Sequence, residues 1–228
     1  MGIKERQQRE HEEVRTKILD AARQLFVAEG FRHVSMRKIA EMVEYSPAAL
    51  YGYFPSKDDL FYALAEEGYR KLFEFTNPDL PTDPIEALRE GFLRYYRFSL
   101  VYPEYFALMF LDRTVPRIGQ DWQGFAYVGQ MIGDICQIAQ RAIDAGQLPA
   151  TTNPLVAFHL LWMAVHGPAT VGLCERTAPG EDPELLARDV LEIVLAGLRA
   201  GMSTSFLPCA LPAPTVAAAG KESDHAES

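Results

Sequence analysis

The stretch from Val34 to Leu60 constrains the fold of this chain more than any other segment. Ser35 precedes apolar residues at helical spacing, so it is a candidate N-cap for a short helix. Ser46 and Pro47 predict a second short helix, because a cap residue followed by proline is a typical helix start. Two short helices joined by a tight turn predict a helix-turn-helix, a motif that places its second helix in the DNA major groove.

Many residues of this stretch stand at the fixed spacings of one known pattern. They are Ser35-Met36-Arg37-Lys38-Ile39-Ala40, Ser46, Leu50-Tyr51, Tyr53-Phe54, Ser56-Lys57 and Leu60, preceded by Ile18-Leu19, Ala21-Ala22, Leu25-Phe26 and Gly30-Phe31. In this pattern the segment resembles the DNA-binding end of the TetR family of bacterial transcription regulators, of the AcrR-like kind. The resemblance covers roughly the first 60 residues.

DNA binding requires phosphate neutralisation and a few side chains that reach base edges. Arg37 is the strongest candidate for such a contact, and Lys57 begins a helix whose exposed N–H groups favour a phosphate. The resemblance implies DNA contacts for Tyr51, Tyr53 and Lys57. The predicted DNA-binding residues are Arg37, Ser46, Pro47, Ala48, Tyr51, Tyr53 and Lys57, and arm residues Arg6, Arg9 and Arg15 are candidates for phosphate or minor-groove contacts.

Other interpretations remain open for some of these residues. Leu50 and Phe54 are expected in the core of the small helical domain, and Tyr53 is equally compatible with core and DNA. In the turn, Glu44-Tyr45 replaces the Gly-Val pair that is usual in the family. Glu44 is therefore expected in a left-handed or otherwise strained backbone position, with a carboxylate on the DNA side that weakens non-specific binding.

The charge of the chain is unevenly distributed. Residues 1–60 carry ten Lys/Arg and ten Asp/Glu, whereas residues 61–228 carry twelve and twenty-one, which accounts for the whole net charge of −9. DNA would repel the acidic part and not the N-terminal part, so the field orients the molecule. This asymmetry fits a DNA reader at one end and a sensor body at the other.

Helical periodicity without strand alternation predicts an all-α fold, with an N-terminal three-helix DNA-binding domain and a C-terminal helical domain for effector binding and dimerisation. Pro78 to Pro84 is the one clear internal linker. We expect a flexible arm at 1–11, the helix-turn-helix domain at 12–58, the effector domain at 59–202 and a disordered tail at 203–228. The predicted helices cover about Glu12–Glu29, two motif helices, a helix from Ser56 to before Asn77, Pro84–Tyr102, Pro103–Leu111, Gln120–Ala145, Asn153–Cys174 and Pro183–Gly201.

Three observations bear on the compartment. Cys136, Cys174 and Cys209 are far apart and odd in number, which favours a reduced, cytoplasmic setting. The polar N-terminus does not resemble a signal peptide. Residues 154–174 carry no charge and are long enough to span a bilayer, yet they contain His159, His166 and Pro168, so a buried helix is favoured.

The C-terminal part is rich in bulky residues that suit an apolar pocket between helices, although aromatic stripes are usually core. Trp162, His166 and Gly167 resemble a Trp-x-x-x-His-Gly signature of one TetR subfamily. His159 and His166 share a helix face without a third ligand at a recognisable spacing, so we expect no metal and no cofactor. The predicted ligand-binding residues are Phe92, Tyr95, Tyr96, Phe106, Phe110, Trp122, Phe125, His159, Trp162, Met163 and His166.

The last two helices are apolar around most of their circumference, which predicts burial against a second copy, as the resemblance also implies. The leading interpretation is a homodimeric repressor that leaves a near-palindromic operator when a small apolar or aromatic effector binds. The alternative is a helix-turn-helix structural or interaction protein without a small-molecule switch. An enzyme is not expected, because the sequence shows no nucleophile–base pair, carboxylate pair, phosphate loop or metal cluster.

Overall fold

The computed structural model describes residues 2–30 and 33–208, and within them every regular element is helical. Phe31, Cys209 and the predicted tail from residue 209 onward lie outside these residues. The helices are α1 Ile3–Glu29, α2 Met36–Met42, α3 Pro47–Leu50, α4 Lys57–Thr76, α5 Pro84–Val101, α6 Pro103–Phe106, α7 Pro116–Gln120, α8 Ala126–Asp144, α9 Pro154–Leu173 and α10 Pro183–Arg199. A π segment, Ala107–Leu111, continues α6, and a 3-10 turn, Trp122–Gly124, precedes α8. The predicted all-α fold is confirmed.

The N-terminal unit has its own apolar core. Ile18 of α1, Ile39 of α2 and Leu50 of α3 are fully buried against one another's helices, and Phe54 closes the motif beneath them. The first turns of α4 join this core through Leu60. The expected core positions of Leu50 and Phe54 are therefore confirmed.

The first helix begins earlier than the sequence analysis predicted. We expected helix from about Glu12, but α1 begins at Ile3. The Gly2 amide donates to the Glu5 carboxylate at 2.9 Å, and Arg6 pairs with Glu10 one turn later at 2.8 Å. These local contacts supply the start signal that apolar periodicity did not, because polar i,i+4 pairs stabilise a helix without an apolar stripe.

The region between α6 and α8 also differs from prediction. Gln120–Ala145 was expected as one helix, and Pro116 with Gly119 as a break. Instead, Pro116 is the first residue of α7, and Gly119 lies inside that helix. Proline suits the first helical position because its missing N–H would have no partner there. Asp121 and the 3-10 turn then separate α7 from α8.

The C-terminal part is a bundle in which α9 is the central helix. α9 packs against α5, α8 and α10, while α4 packs against α5, α8 and the π segment. α9 is long and apolar enough to cross a membrane by length and composition, but eight of its residues are buried within the bundle. Residues 203–208 follow α10 without regular structure.

Candidate nucleic-acid interface and internal cavity

The turn of the helix-turn-helix holds the backbone conformation expected from its sequence. Glu44 has φ +60°, in the left-handed region that glycine usually occupies. Its amide donates to the carbonyl of Glu41, and the amide of Tyr45 donates to the carbonyl of Ala40 at 3.0 Å. These two bonds form a Schellman motif that ends α2, so the left-handed residue is required by the turn.

The second helix of the motif presents its N-terminal end to solvent. The Ser46 hydroxyl accepts the Ala49 amide at 3.2 Å, and Pro47 occupies the first helical position. Ser46, Pro47 and Ala48 are exposed, whereas Leu50 is buried. The four-residue α3 therefore turns its first residues outward, where a recognition helix meets base edges.

Two tyrosines flank this exposed end in different environments. Tyr51 is half exposed, while Tyr53 is partly buried and stacks on His11 of α1 with ring centroids 4.6 Å apart. The Tyr53 ring thus packs on the N-terminal domain, as expected if Tyr53 belongs to its core rather than to the DNA-contacting surface. The role of its hydroxyl at DNA stays a prediction.

The predicted cations of the interface, Arg37 and Lys57, have different surroundings. The Arg37 side chain is 83% exposed and pairs with Glu41 at 3.0 Å, an arrangement that contributes little to stability and can exchange for a phosphate. The Lys57 ammonium lies 5.3 Å from the Phe61 ring centroid, and burial lowers its pKa. Lys57 follows Ser56, whose hydroxyl accepts the Asp59 amide and caps α4.

The arm arginines lie on α1 rather than on a flexible segment. Arg6 is exposed beside Glu10, and Arg15 places its guanidinium 4.9 Å from the Phe54 ring centroid. Arg9 belongs to the same helix. α1 therefore connects the predicted phosphate contacts rigidly to the motif core.

A separate internal cavity of about 270 Å³ lies in the C-terminal bundle. Residues from α4, α5, the π segment, α8 and α9 surround it. The lining residues are Tyr69, Leu72, Thr76, Asn77, Leu80, Ala87, Leu88, Gly91, Phe92, Tyr95, Met109, Phe110, Gly119, Trp122, Val128, Met131, Ile132, Asp134, Ile135, Ile138, Phe158, Trp162 and His166.

Six of the eleven predicted ligand-binding residues line this cavity. They are Phe92, Tyr95, Phe110, Trp122, Trp162 and His166. On α9, Phe158, Trp162 and His166 recur every four residues along one face, so the cavity runs beside that face.

The other five predicted residues do not line the cavity, for identifiable reasons. Met163 is 49% exposed on the opposite side of α9, and the His159 ring contacts Phe206 at 5.1 Å. Phe125 packs between the rings of Tyr62 and Tyr69. Phe106 packs against the rings of Tyr95 and His166. Tyr96 is buried and interacts electrostatically with the acidic residues at the start of α10. Their size and spacing indicated burial but not which helix face meets the cavity.

Polar groups of the cavity fall into two sets. The Tyr95 hydroxyl and Nδ1 of His166 are 2.8 Å apart and form a hydrogen bond. Burial raises the pKa of Tyr95 and lowers the pKa of His166, so this pair stays neutral. In the other set, the Asn77 side-chain amide donates to Asp134 at 3.3 Å.

Comparison with known proteins adds the family to this geometry. Residues 18–64 match the family described as bacterial regulatory proteins, tetR family. The HTH-type transcriptional repressor Rv1474c of Mycobacterium tuberculosis is 30% identical over 192 residues, which covers 81% of this chain and 92% of the relative. This chain belongs to the TetR family.

Other similarities are narrower. The HTH-type transcriptional regulator UidR of Escherichia coli K12 is 39% identical over 72 residues, covering 31% of this chain and only 37% of the relative's length. The solved structure of RolR in complex with its ligand resorcinol superposes with a TM-score of 0.60 at 17% identity, over 91% of this chain and 99% of that one. At this identity the likeness concerns the fold alone.

The residues that match the family model include the helix-turn-helix and none of the residues that line the cavity. Residues 18–64 include α2, α3 and the first turns of α4. Tyr69, Thr76, Asn77 and Asp134 line the cavity but were missed by the sequence analysis. Tyr69, Leu72 and Thr76 stand at i, i+3 and i+7 along α4, a signal that could have identified them.

Arg117 connects the cavity region to the first turns of α4, the helix that follows the motif. The Arg117 guanidinium on α7 lies 3.1 Å from Asp59 in the first turn of α4 and 4.2 Å from the Tyr62 ring centroid. Gly119 on the same short helix and nearby Trp122 line the cavity. α7 therefore touches both the cavity and the helix that follows α3.

No group of three or more potential metal-ligating side chains occurs in the described part of the chain.

Proposed function

We propose that this protein is a DNA-binding transcriptional repressor. The observation that carries the proposal is the helix-turn-helix of residues 36–50, with its exposed α3 start, inside the range that matches the TetR family. Similarity to the repressor Rv1474c over most of both chains supports the same activity. Contacts with DNA are assigned to Arg37, Tyr51, Tyr53 and Lys57, together with the exposed start of α3. Such a regulator acts on chromosomal DNA, so we assign it to the cytoplasm.

The proposed active form is a homodimer built through α9 and α10. Leu185, Leu186 and Ile193 of α10 are between 49% and 69% exposed, and Met163 and Val171 of α9 are exposed as well. Apolar side chains in such number on two adjacent helices mark an association surface. A twofold axis there would present two α3 helices to successive major grooves, about 34–36 Å apart on the operator.

The cavity supports control by a small apolar or aromatic effector rather than a DNA-binding protein without a switch. Apolar side chains dominate its lining, five of them phenylalanine or tryptophan, and the fold relative RolR was solved with the small aromatic ligand resorcinol. An effector that contacts Trp122 and α7 would shift the Arg117–Asp59 contact and tilt α4. It releases DNA only if it binds the tilted state more tightly than the DNA-bound state.

The proposal is tested by selecting operator DNA with the purified protein and measuring binding of variants by fluorescence anisotropy. Tyr53→Ala and Lys57→Ala are expected to weaken operator binding at least tenfold, since each removes a predicted phosphate contact. Arg70→Ala is the matched control, because Arg70 is an exposed cation farther along α4 that pairs with Glu74. Size-exclusion chromatography must show the same assembly for all variants. Normal DNA binding by the Lys57 variant would contradict the assigned interface.

A further inference from the structure

The charge inventory of the cavity carries information about its ligand. Of the described residues that line it, Asp134 is the only aspartate, glutamate, lysine or arginine, and burial lowers the pKa of His166. Asp134 accepts a hydrogen bond from the neutral Asn77 amide, and no described lysine or arginine lies within 4.0 Å of its carboxylate. Asp134 and Asn77 also line an open groove outside the cavity, and Arg141 lines that groove but not the cavity itself. The cavity therefore contains an acid without a cationic partner.

The end of α4 strengthens the negative potential beside Asp134. α4 ends at Thr76 with Asn77 as its C-cap, and its last turn contains no basic residue. The C-terminus of a helix carries a partial negative charge, which favours a cation. Thr76, Asn77 and Asp134 all line the same cavity. This end is suited to a positively charged group and disfavours a carboxylate.

The opposite end offers neutral hydrogen-bonding groups. Tyr69 lies seven residues before Thr76, which corresponds to about 10 Å along α4 at 1.5 Å per residue. Tyr69 is 3% exposed, and its hydroxyl forms no hydrogen bond within the described part of the chain. Tyr95 and His166 complete this end with their neutral pair. A hydroxyl on a ligand finds both donors and acceptors here.

Aromatic side chains occupy the space between the two ends. Phe92, Phe110, Trp122, Phe158 and Trp162 contribute ring surfaces to the cavity wall. Ring faces stack on an aromatic ligand and attract a cation near it. A volume of about 270 Å³ lies just below the usual range for drug-sized ligands, which suits a compound with a single ring.

We propose that the effector is a small arylalkylamine, with one ring and a protonated amino group on its side chain, whose ammonium lies at Asp134 and the end of α4 and whose neutral hydroxyl lies at Tyr69 and Tyr95. This inference rests on the proposed ligand-responsive function and narrows the class of its ligand. It assigns Asp134 as the residue that distinguishes cationic from neutral and anionic ligands of the same shape.

The test uses three probes with one hydroxyphenyl ring and a side chain that ends differently: tyramine, 4-ethylphenol and 3-(4-hydroxyphenyl)propionate. The sequence contains two tryptophans, and both line the cavity, so intrinsic fluorescence reports occupancy directly. Tyramine is expected to bind about tenfold more tightly than 4-ethylphenol, and the propionate most weakly, because the Asp134 carboxylate attracts an ammonium and repels a carboxylate.

Variants then assign this preference to one side chain. In the Asp134→Asn variant, the affinities for tyramine and 4-ethylphenol are expected to differ by no more than about twofold, whereas Asp134→Glu retains the preference for tyramine. Asp144→Asn is the matched control, since Asp144 lies on the same helix but does not line the cavity. Circular dichroism establishes that each variant is folded.

Several outcomes would overturn the inference. They are equal binding of the propionate and tyramine, binding of none of the three probes, and an unchanged tyramine preference in folded Asp134→Asn. Operator release is measured separately, by anisotropy with each probe. Release by 4-ethylphenol without any preference for tyramine would refute the amine assignment and leave the repressor function standing. Failure to bind any selected DNA would refute the repressor itself.

Discussion

Replacing Glu44 by glycine should stabilise the protein and strengthen its DNA binding. Glu44 holds φ +60°, which costs a residue with a Cβ about 1–2 kcal/mol relative to glycine. Glycine also raises the entropy of the unfolded chain, which offsets about 0.4–1 kcal/mol of that gain. The expected net increase in the free energy of unfolding is about 0.5–1 kcal/mol per protomer.

Glu44→Ala separates the backbone effect from the charge effect. Both variants remove the carboxylate, but alanine keeps the Cβ that strains the left-handed conformation. Urea denaturation at one fixed protomer concentration should therefore show a higher free energy of unfolding for Glu44→Gly than for Glu44→Ala. For DNA, a charge about 8 Å from one phosphate in water costs about 0.5 kcal/mol, so both variants of a dimer should bind about fivefold more tightly at low salt.

Two results would refute this reasoning independently. Equal stability of the glycine and alanine variants would show that the turn does not strain the glutamate. Unchanged operator affinity for both variants at low salt would show that the Glu44 carboxylate does not face DNA. The affinity gain should also shrink as salt rises, because screening weakens repulsion between exposed charges.

Three further perturbations test other parts of the structure. Gly68→Ala places a Cβ 2.5 Å from the Met109 sulfur, so urea denaturation should show a loss of stability of about 1–3 kcal/mol through overpacking. No loss would mean that the Met109 side chain moves aside without strain. Burial lowers the pKa of His166 in the folded state. As the pH falls, His166 is therefore protonated in the unfolded chain before it is protonated in the folded protein, so the free energy of unfolding should decrease below about pH 6.5. His166→Gln should flatten that decline in denaturation at pH 7.5 and 5.5, whereas an equal decline would assign it to other groups. Arg117→Ala removes the exposed ion pair with Asp59, so it should change the free energy of unfolding by less than ~1 kcal/mol. It should nevertheless raise the effector concentration needed for operator release about threefold or more. An unchanged release curve would exclude this contact from signal transfer.

The helix-turn-helix was predictable because its signals are local. Ser46 followed by Pro47 specifies a helix start within two residues, and the structure shows both in those roles. A left-handed or otherwise strained Glu44 was likewise expected from the place where a turn must occur, and the structure shows the left-handed form. Such features depend on backbone sterics and nearest neighbours, which a single sequence contains in full.

The cavity was only partly predictable because it depends on helix rotation and distant packing. Tyr95 lines it and its neighbour Tyr96 does not, although both are buried aromatics on α5. Met163 was expected inside because α9 is apolar around its whole circumference, which removes the periodic signal that orients a helix. Asp134 was overlooked because a lone acid on a helix usually faces water.

The length of α1 determines what its arginines can do at DNA. A helix that begins at Ile3 is a rod about 10–12 Å across, whereas the minor groove of B-DNA is about 6 Å wide. In the proposed complex the helix itself stays outside the groove, so we expect Arg6 and Arg9 to contact the phosphates that border it. Contacts of that kind add affinity that declines with salt and do not distinguish one base pair from another. Discrimination between operators then depends on the major groove, which the exposed Ser46, Pro47 and Ala48 at the start of α3 would face.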